Sequence, residues 1–149
     1  MTKLIAFDTS IFVAHFEQQA EHPLELIAGL VEDVDAGRVR LLLPTVVIAE
    51  LFMNPGNVTP IQAFLDSPSV LVAELNEKAA RLAGEIRKDC HASKRFKPRT
   101  PDTLIVATAQ EFGADTLYTV DEPLVKLNKS DKVTIKICPP AGQSTFLIG

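Results

Sequence analysis

The chain has 149 residues, 46% of them hydrophobic and 23% charged, with a formal net charge of −4. That size and balance describe one globular domain around one core, and they exclude nucleic-acid binding through bulk positive charge. Its apolar stretches, such as residues 4–7 and 45–49, are broken by Asp8 and Glu50 far short of the roughly 20 residues that span a bilayer. No signal-peptide core precedes them, so the expected compartment is the cytoplasm.

Residues 3–7 are a short apolar run ending at Asp8, which predicts a first strand that leads through Thr9 and Ser10 into a helix. A second helix is expected over residues 23–36, where Leu26, Ile27, Leu30, Val31 and Val34 recur at helical spacing and Gly37 ends the pattern. Its acids, Glu32, Asp33 and Asp35, read as a solvated face. A strand over 38–43 meets Pro44, after which Thr45 can cap a helix carrying Val46, Val47, Ala49, Glu50 and Phe52 as far as Asn54-Pro55-Gly56. A short helix over 60–65, a strand over 70–73 and a helix over 77–90 with Asn76 as N-cap follow.

Thr100-Pro101-Asp102 is a strong helix start, with Thr100 as N-cap, Pro101 at the first helical position and Asp102 in the first turn. That helix is expected to run to residue 113. A strand over 116–120, Asp121, a short helix with Leu124 and Leu127, and a strand over 133–137 complete the chain. Strands alternating with helices predict an α/β three-layer sandwich, with a mostly parallel sheet of about five strands and helices on both faces. Residues 1–140 make the domain and 141–149 a tail. Cys90 and Cys138 lie far apart with no CxxC or zinc-ligand spacing, so both are expected to be reduced and at least one to fill core.

In parallel sheets, sites form beyond the carboxyl ends of the strands, where Asp8 and Asp121 fall. Singly, Asp8, Asp102 and Asp121 are each explained as helix-start residues. Glu50, among apolar neighbours on a short helix, must face water or find a partner. As a set, crowded carboxylates raise one another's pKa unless a cation intervenes, and Mg²⁺ or Mn²⁺, which prefer oxygen ligands, suit that place. One or two such ions would activate water and neutralise a leaving oxygen, which is phosphodiester chemistry. One local basic patch is present: Lys94, Arg95, Lys97 and Arg99 surround Phe96, and they are candidates for steering a nucleic-acid backbone, with Phe96 stacking on a base.

The order of strand-Asp-Thr-Ser, a helix-borne Glu in IAEL, PDTLIVATA and GADTLYTVDEPL resembles the PIN-domain nucleases, and among them the VapC-type toxins of toxin–antitoxin pairs. The likeness spans residues 3 to about 137. It departs from the family pattern at Leu124, where a Phe is expected, and in the length of the tail after Pro140.

The resemblance implies that Asp8, Glu50, Asp102 and Asp121 are the catalytic acids of a metal-dependent endoribonuclease, with Ser10 or Thr119 as accessory hydroxyls. In this reading Asp8, Asp102 and Asp121 hold the metal, Glu50 holds it or orients the attacking water, and the products carry a 5′-phosphate and a 3′-hydroxyl. It also implies an RNA substrate, a small antitoxin that inserts into the acidic groove, and a homodimer, at whose interface Phe146-Leu147-Ile148 would pack.

Rival readings are weaker. A haloacid-dehalogenase-type phosphotransferase wants a second Asp two positions after Asp8, where Ser10 stands, and a response-regulator receiver lacks its early acid cluster. A silent PIN-like module that only binds RNA or a partner, and a solitary RNA-processing nuclease without an antitoxin, remain as alternatives. A pair among His15, His22 and His91 offers a metal-free route to RNA cleavage.

Overall fold

The computed structural model describes residues 2–93 and 96–140. Five parallel strands, β1 (Lys3–Phe7), β2 (Val39–Pro44), β3 (Val70–Ala73), β4 (Thr116–Tyr118) and β5 (Lys136–Cys138), form one sheet in the order β3-β2-β1-β4-β5. The helices are α1 (Thr9–Phe16), α2 (Leu24–Asp35), α3 (Thr45–Leu51), α4 (Val58–Leu65), α5 (Glu77–Ala92), α6 (Thr100–Glu111) and α7 (Glu122–Val125). Short 3₁₀ turns occupy Pro55–Asn57 and Lys126–Lys129.

Successive side chains on a strand point to opposite faces. In β1, Ile5, Ala6 and Phe7 are each fully buried, and so are Leu41, Leu42 and Leu43 in β2, so the sheet's centre is covered on both sides. This is the expected α/β sandwich, with all strand pairs parallel. α6 is buried almost all round, from Ile105 through Ala109. Its hydroxyls survive burial by bonding backward along the helix: Thr108 Oγ1 donates to Leu104 O at 2.7 Å and Thr103 Oγ1 to Thr100 O at 2.8 Å. Asn76 caps α5 as expected, its side chain accepting from Ala79 N at 2.8 Å. Cys90 is the cysteine that fills core. Among the described residues, no helix is long and apolar enough to cross a membrane.

The structure corrects several boundaries. The N-cap of α6 is Arg99, in extended conformation with its carbonyl accepting from Thr103 N at 3.3 Å, and Thr100 is already helical. Likewise Thr45 is the first residue of α3, after Pro44. After a last bond across to β5, from Thr119 N to Cys138 O at 3.0 Å, the following donors leave the ladder that β4 began: Val120 N bonds Ser10 Oγ and Asp121 N bonds Thr119 Oγ1. β5 starts late because the Gln110 side chain takes the amides of Thr134 and Ile135. α4 begins two residues before the expected Pro60, directly after the turn that Asn54 caps.

The acidic face of α2 is not wholly solvated. Asp33 is 2% exposed and accepts from Arg38 Nε at 2.6 Å. Gly37, at φ 74°, makes this possible: its left-handed turn lets Arg38 N bond back to Asp33 O at 2.9 Å, which brings the guanidinium to the carboxylate.

Candidate active site

The sheet order reverses between β1 and β4, and that is where side chains from distant segments meet. Phe7 pairs with Tyr118 in register, and Asp8 N then donates to Tyr118 O at 3.1 Å. Asp8 and Thr119 therefore leave adjacent strand ends side by side.

Asp8 is 4% exposed and is also the N-cap of α1. Its Oδ1 accepts from Ser10 Oγ at 2.6 Å and from Ile11 N at 3.3 Å, and its Oδ2 accepts from Thr119 Oγ1 at 2.8 Å. A hydroxyl has one proton to give. Ser10 and Thr119 each spend theirs on Asp8 while accepting from Val120 N at 3.1 Å and Asp121 N at 2.9 Å respectively. The two hydroxyl oxygens, 3.3 Å apart, thus tie β1 to the segment after β4. Burial pushes the Asp8 pKa up to about 6, against the lowering effect of its three hydrogen bonds and with a further push from the Asp121 charge.

Glu50 reaches the same cleft from α3, half-buried, and accepts from Thr9 Oγ1 at 2.5 Å. Asp102, from the first turn of α6, is 7% exposed and is gripped at both oxygens by Arg99, with Nε to Oδ2 and Nη2 to Oδ1 each at 3.2 Å. Asp121 stands at the head of α7, making no side-chain cap there, and its Oδ2 lies 3.9 Å from Arg99 Nη2. Its carboxyl is held above the usual range by burial and then by the Asp102 charge, with Arg99 acting in the opposite direction.

All four acids line one cleft of about 240 Å³ together with Thr9, Ser10, Arg99, Gln19 and His22. Thr119 sits behind Asp8, fully buried. His22 and Gln19 come from the compact turn before α2, where His22 N bonds Gln19 O at 3.1 Å and Leu24 N bonds His22 O at 2.8 Å. No motif marks that turn; sequence reasoning missed Gln19, took His22 only as a candidate for a histidine pair and Thr9 only as part of the Asp-Thr-Ser start, and did not foresee the pairing role of Arg99. His15 packs against Phe16 and His91 is exposed on α5, so His22 alone of the three lines the cleft and a two-histidine site is not assembled.

Of the basic patch, Lys94 and Arg95 lie outside the described residues, as does the Phe146-Leu147-Ile148 segment of the tail. Lys97 is exposed, Phe96 is half-buried against the core, and with Arg99 they line a second depression that shares Asp102 and Asp121 with the acid cleft.

The donors are carboxylate and hydroxyl oxygens, the set that hard divalent cations prefer, and a nearly buried carboxylate with a raised pKa is one that a cation would relieve. The residues therefore fit such an ion chemically. Among the described residues no three of the acids already converge as a finished ligand cluster, and the cation seated on Asp102 is Arg99.

A parallel α/β sandwich with four carboxylates at its switch point defines the class. Residues 5–129 match the family model of the PIN domain, and the chain belongs to that family. Its fold is similar to that of VapBC2 from Rickettsia felis bound to a DNA fragment from its promoter (18% identity, 90% of this chain and 98% of that one, TM-score 0.69). It is likewise similar to FitAcB from Neisseria gonorrhoeae (18%, 91% and 97%, TM-score 0.64). A third likeness is to VapC20 from Mycobacterium tuberculosis, a sarcin-ricin loop cleaving toxin (16%, 87% and 98%, TM-score 0.59). Comparison with curated proteins gives no match.

Proposed function

We propose that this chain is a divalent-metal-dependent endoribonuclease, the toxin of a toxin–antitoxin pair, that hydrolyses RNA phosphodiester bonds. The observation that carries the reading is that acids from four separate segments, Asp8, Glu50, Asp102 and Asp121, line a single cleft at the carboxyl ends of β1 and β4. Membership of the PIN domain family and the likeness to solved VapBC assemblies support it.

Asp8, Asp102 and Asp121 would hold Mg²⁺ or Mn²⁺. When bound, one or two such ions make a water nucleophilic near neutral pH and neutralise the leaving oxygen. The chain's own residues supply the positioning. Ser10 and Thr119 fix both oxygens of Asp8, so that carboxylate would meet the ion in one orientation. Thr9 fixes one oxygen of Glu50 in the same cleft, and the carboxylate can accept a proton from the attacking water. Lys94, Arg95, Lys97 and Arg99 put four cations within six residues of a chain whose net charge is −4, and would draw the RNA backbone toward the acids. A small antitoxin and a homodimer belong to the same proposal.

The test is cleavage of end-labelled RNA with Mg²⁺ or Mn²⁺, comparing wild type with Asp8→Asn. Expected are fragments with 5′-phosphate and 3′-hydroxyl ends, abolished by EDTA and by the substitution. Cyclic-phosphate ends, or cleavage that persists in excess EDTA, would overturn it.

A further inference from the structure

We propose that Arg99 is a built-in counter-ion of the acid cleft, which competes with a divalent cation for Asp102 and Asp121 and, once displaced, passes to a phosphate of the RNA. The inference rests on the nuclease reading above and adds a residue role to it.

Among the described residues, Arg99 is the one cationic side chain paired with any of the four acids. Its guanidinium takes both oxygens of Asp102 at 3.2 Å and stands 3.9 Å from Asp121, so one fork spans two carboxylates. A guanidinium and a divalent ion repel, and they seek the same oxygens, so the two cannot share Asp102 in this arrangement. Loading therefore requires Arg99 to let go.

Among the described residues, what holds the Arg99 side chain in place is its pairing with Asp102 and Asp121. The Arg99 side chain is 70% exposed, and although the residue is the N-cap of α6 its side chain makes no capping bond. Because the guanidinium is this exposed, water and incoming ions can reach it and exchange with it, although Asp102 itself is nearly buried. After release the guanidinium remains tethered at the rim where the acid cleft meets the depression lined by Phe96 and Lys97. Its five donors match the oxygens of a phosphodiester, the other anion that arrives there.

The competition has a signature that neither a structural ion pair nor a simple RNA contact would produce. Arg99 should oppose metal binding and promote RNA binding, and the second effect should appear only when metal is present. Calorimetric titration of RNA-free protein with Mn²⁺ reads the first. Arg99→Gln should bind Mn²⁺ about fivefold more tightly than wild type, with Arg99→Lys in between.

Fluorescence anisotropy of a labelled oligoribonucleotide, in a Glu50→Gln background that slows cleavage, reads the second. There Arg99→Gln should weaken RNA binding about tenfold in Mn²⁺ and leave it unchanged in EDTA. Unchanged or weaker Mn²⁺ binding by Arg99→Gln, with melting temperature preserved, would overturn the counter-ion role while leaving the nuclease reading intact. An equal drop in RNA affinity with and without Mn²⁺ would reduce Arg99 to an ordinary backbone-binding residue and overturn the exchange. Wild-type protein that binds no Mn²⁺ at all would remove both proposals together.

Discussion

The Thr119 hydroxyl donates to Asp8 Oδ2 at 2.8 Å, joining residues 111 positions apart in the chain, and the same oxygen accepts from Asp121 N at 2.9 Å. One buried oxygen therefore sets the spacing between two acids of the cleft. Thr119→Val keeps the shape and removes both bonds, leaving a carboxylate oxygen and an amide without partners. It should cost about 1–3 kcal/mol of stability in urea unfolding. The Asp8 pKa should move further upward, because a bond that lowers it is gone. Carboxyl titration by NMR checks the direction.

The raised pKa of Asp8 makes metal-free stability pH-dependent. Its ordinary value of 3.8 applies to the unfolded chain and about 6 to the folded one. Below pH 3.8 both states hold the proton and the full contribution is present; it is lost as pH rises through 6. The loss amounts to about 3 kcal/mol. In EDTA, the stability of Asp8→Asn relative to wild type should rise by roughly 2–3 kcal/mol between pH 4 and pH 7, because Asn carries no such penalty. Urea unfolding at the two pH values measures this, and a difference between the two proteins that does not change with pH would contradict the burial argument.

Glu50 and Thr9 should separate chemistry from binding. Glu50→Gln still accepts from Thr9 Oγ1 but cannot take up a proton, so the cleavage rate should fall roughly 10²-fold or more with RNA affinity little changed. Thr9→Val frees the carboxylate without neutralising it, and about a tenfold loss is expected. Single-turnover rates at saturating RNA distinguish the two.

Replacing Lys94, Arg95 and Lys97 together with Ala should weaken RNA binding and flatten its salt dependence. The slope of log affinity against log salt should shrink by about 0.7 for each phosphate that the protein no longer neutralises. An unchanged slope would take these residues out of the RNA path.

Arg38→Met tests the fold away from the cleft. It leaves the Asp33 carboxylate, whose Oδ2 already lacks a partner among the described residues, buried and unpaired. Because the Arg38 side chain is 48% exposed, the cost should be about 1–3 kcal/mol rather than that of a fully buried pair. Cleavage below the melting temperature should be unaffected.

What the sequence made legible was local or periodic. The run before Asp8 predicts β1 to the residue, Asn76 announces α5, and the alternation of strands and helices predicts a parallel sheet. The shared location of Asp8 and Asp121 follows from the rule that sites form at strand ends. What stayed hidden depends on which side chain takes up which backbone or charged group, whether the partner is distant, as with Ser10 and Gln110, or a few residues away, as with Arg38 and Arg99. Gln110 withholds two amides from β5 and Ser10 takes the amide of Val120 after β4, so those boundaries are set by side chains that no window of local sequence contains, while Thr119 adds a local bond to Asp121 N. Asp33 looks solvated until the turn at Gly37 returns Arg38 to it. Arg99 looks like one more basic residue until α6 aims it at Asp102.

The cleft draws on residues 8, 50, 102 and 121, and its first member directly follows the central strand of the sheet. A ribosome making this chain releases Asp8 early, yet no partial product contains the whole acid ring until the segment after β4 has emerged and settled beside β1. If the proposed activity is right, unfinished copies are harmless to the cell that makes them, and the capacity to cut arrives in a single step, late in synthesis.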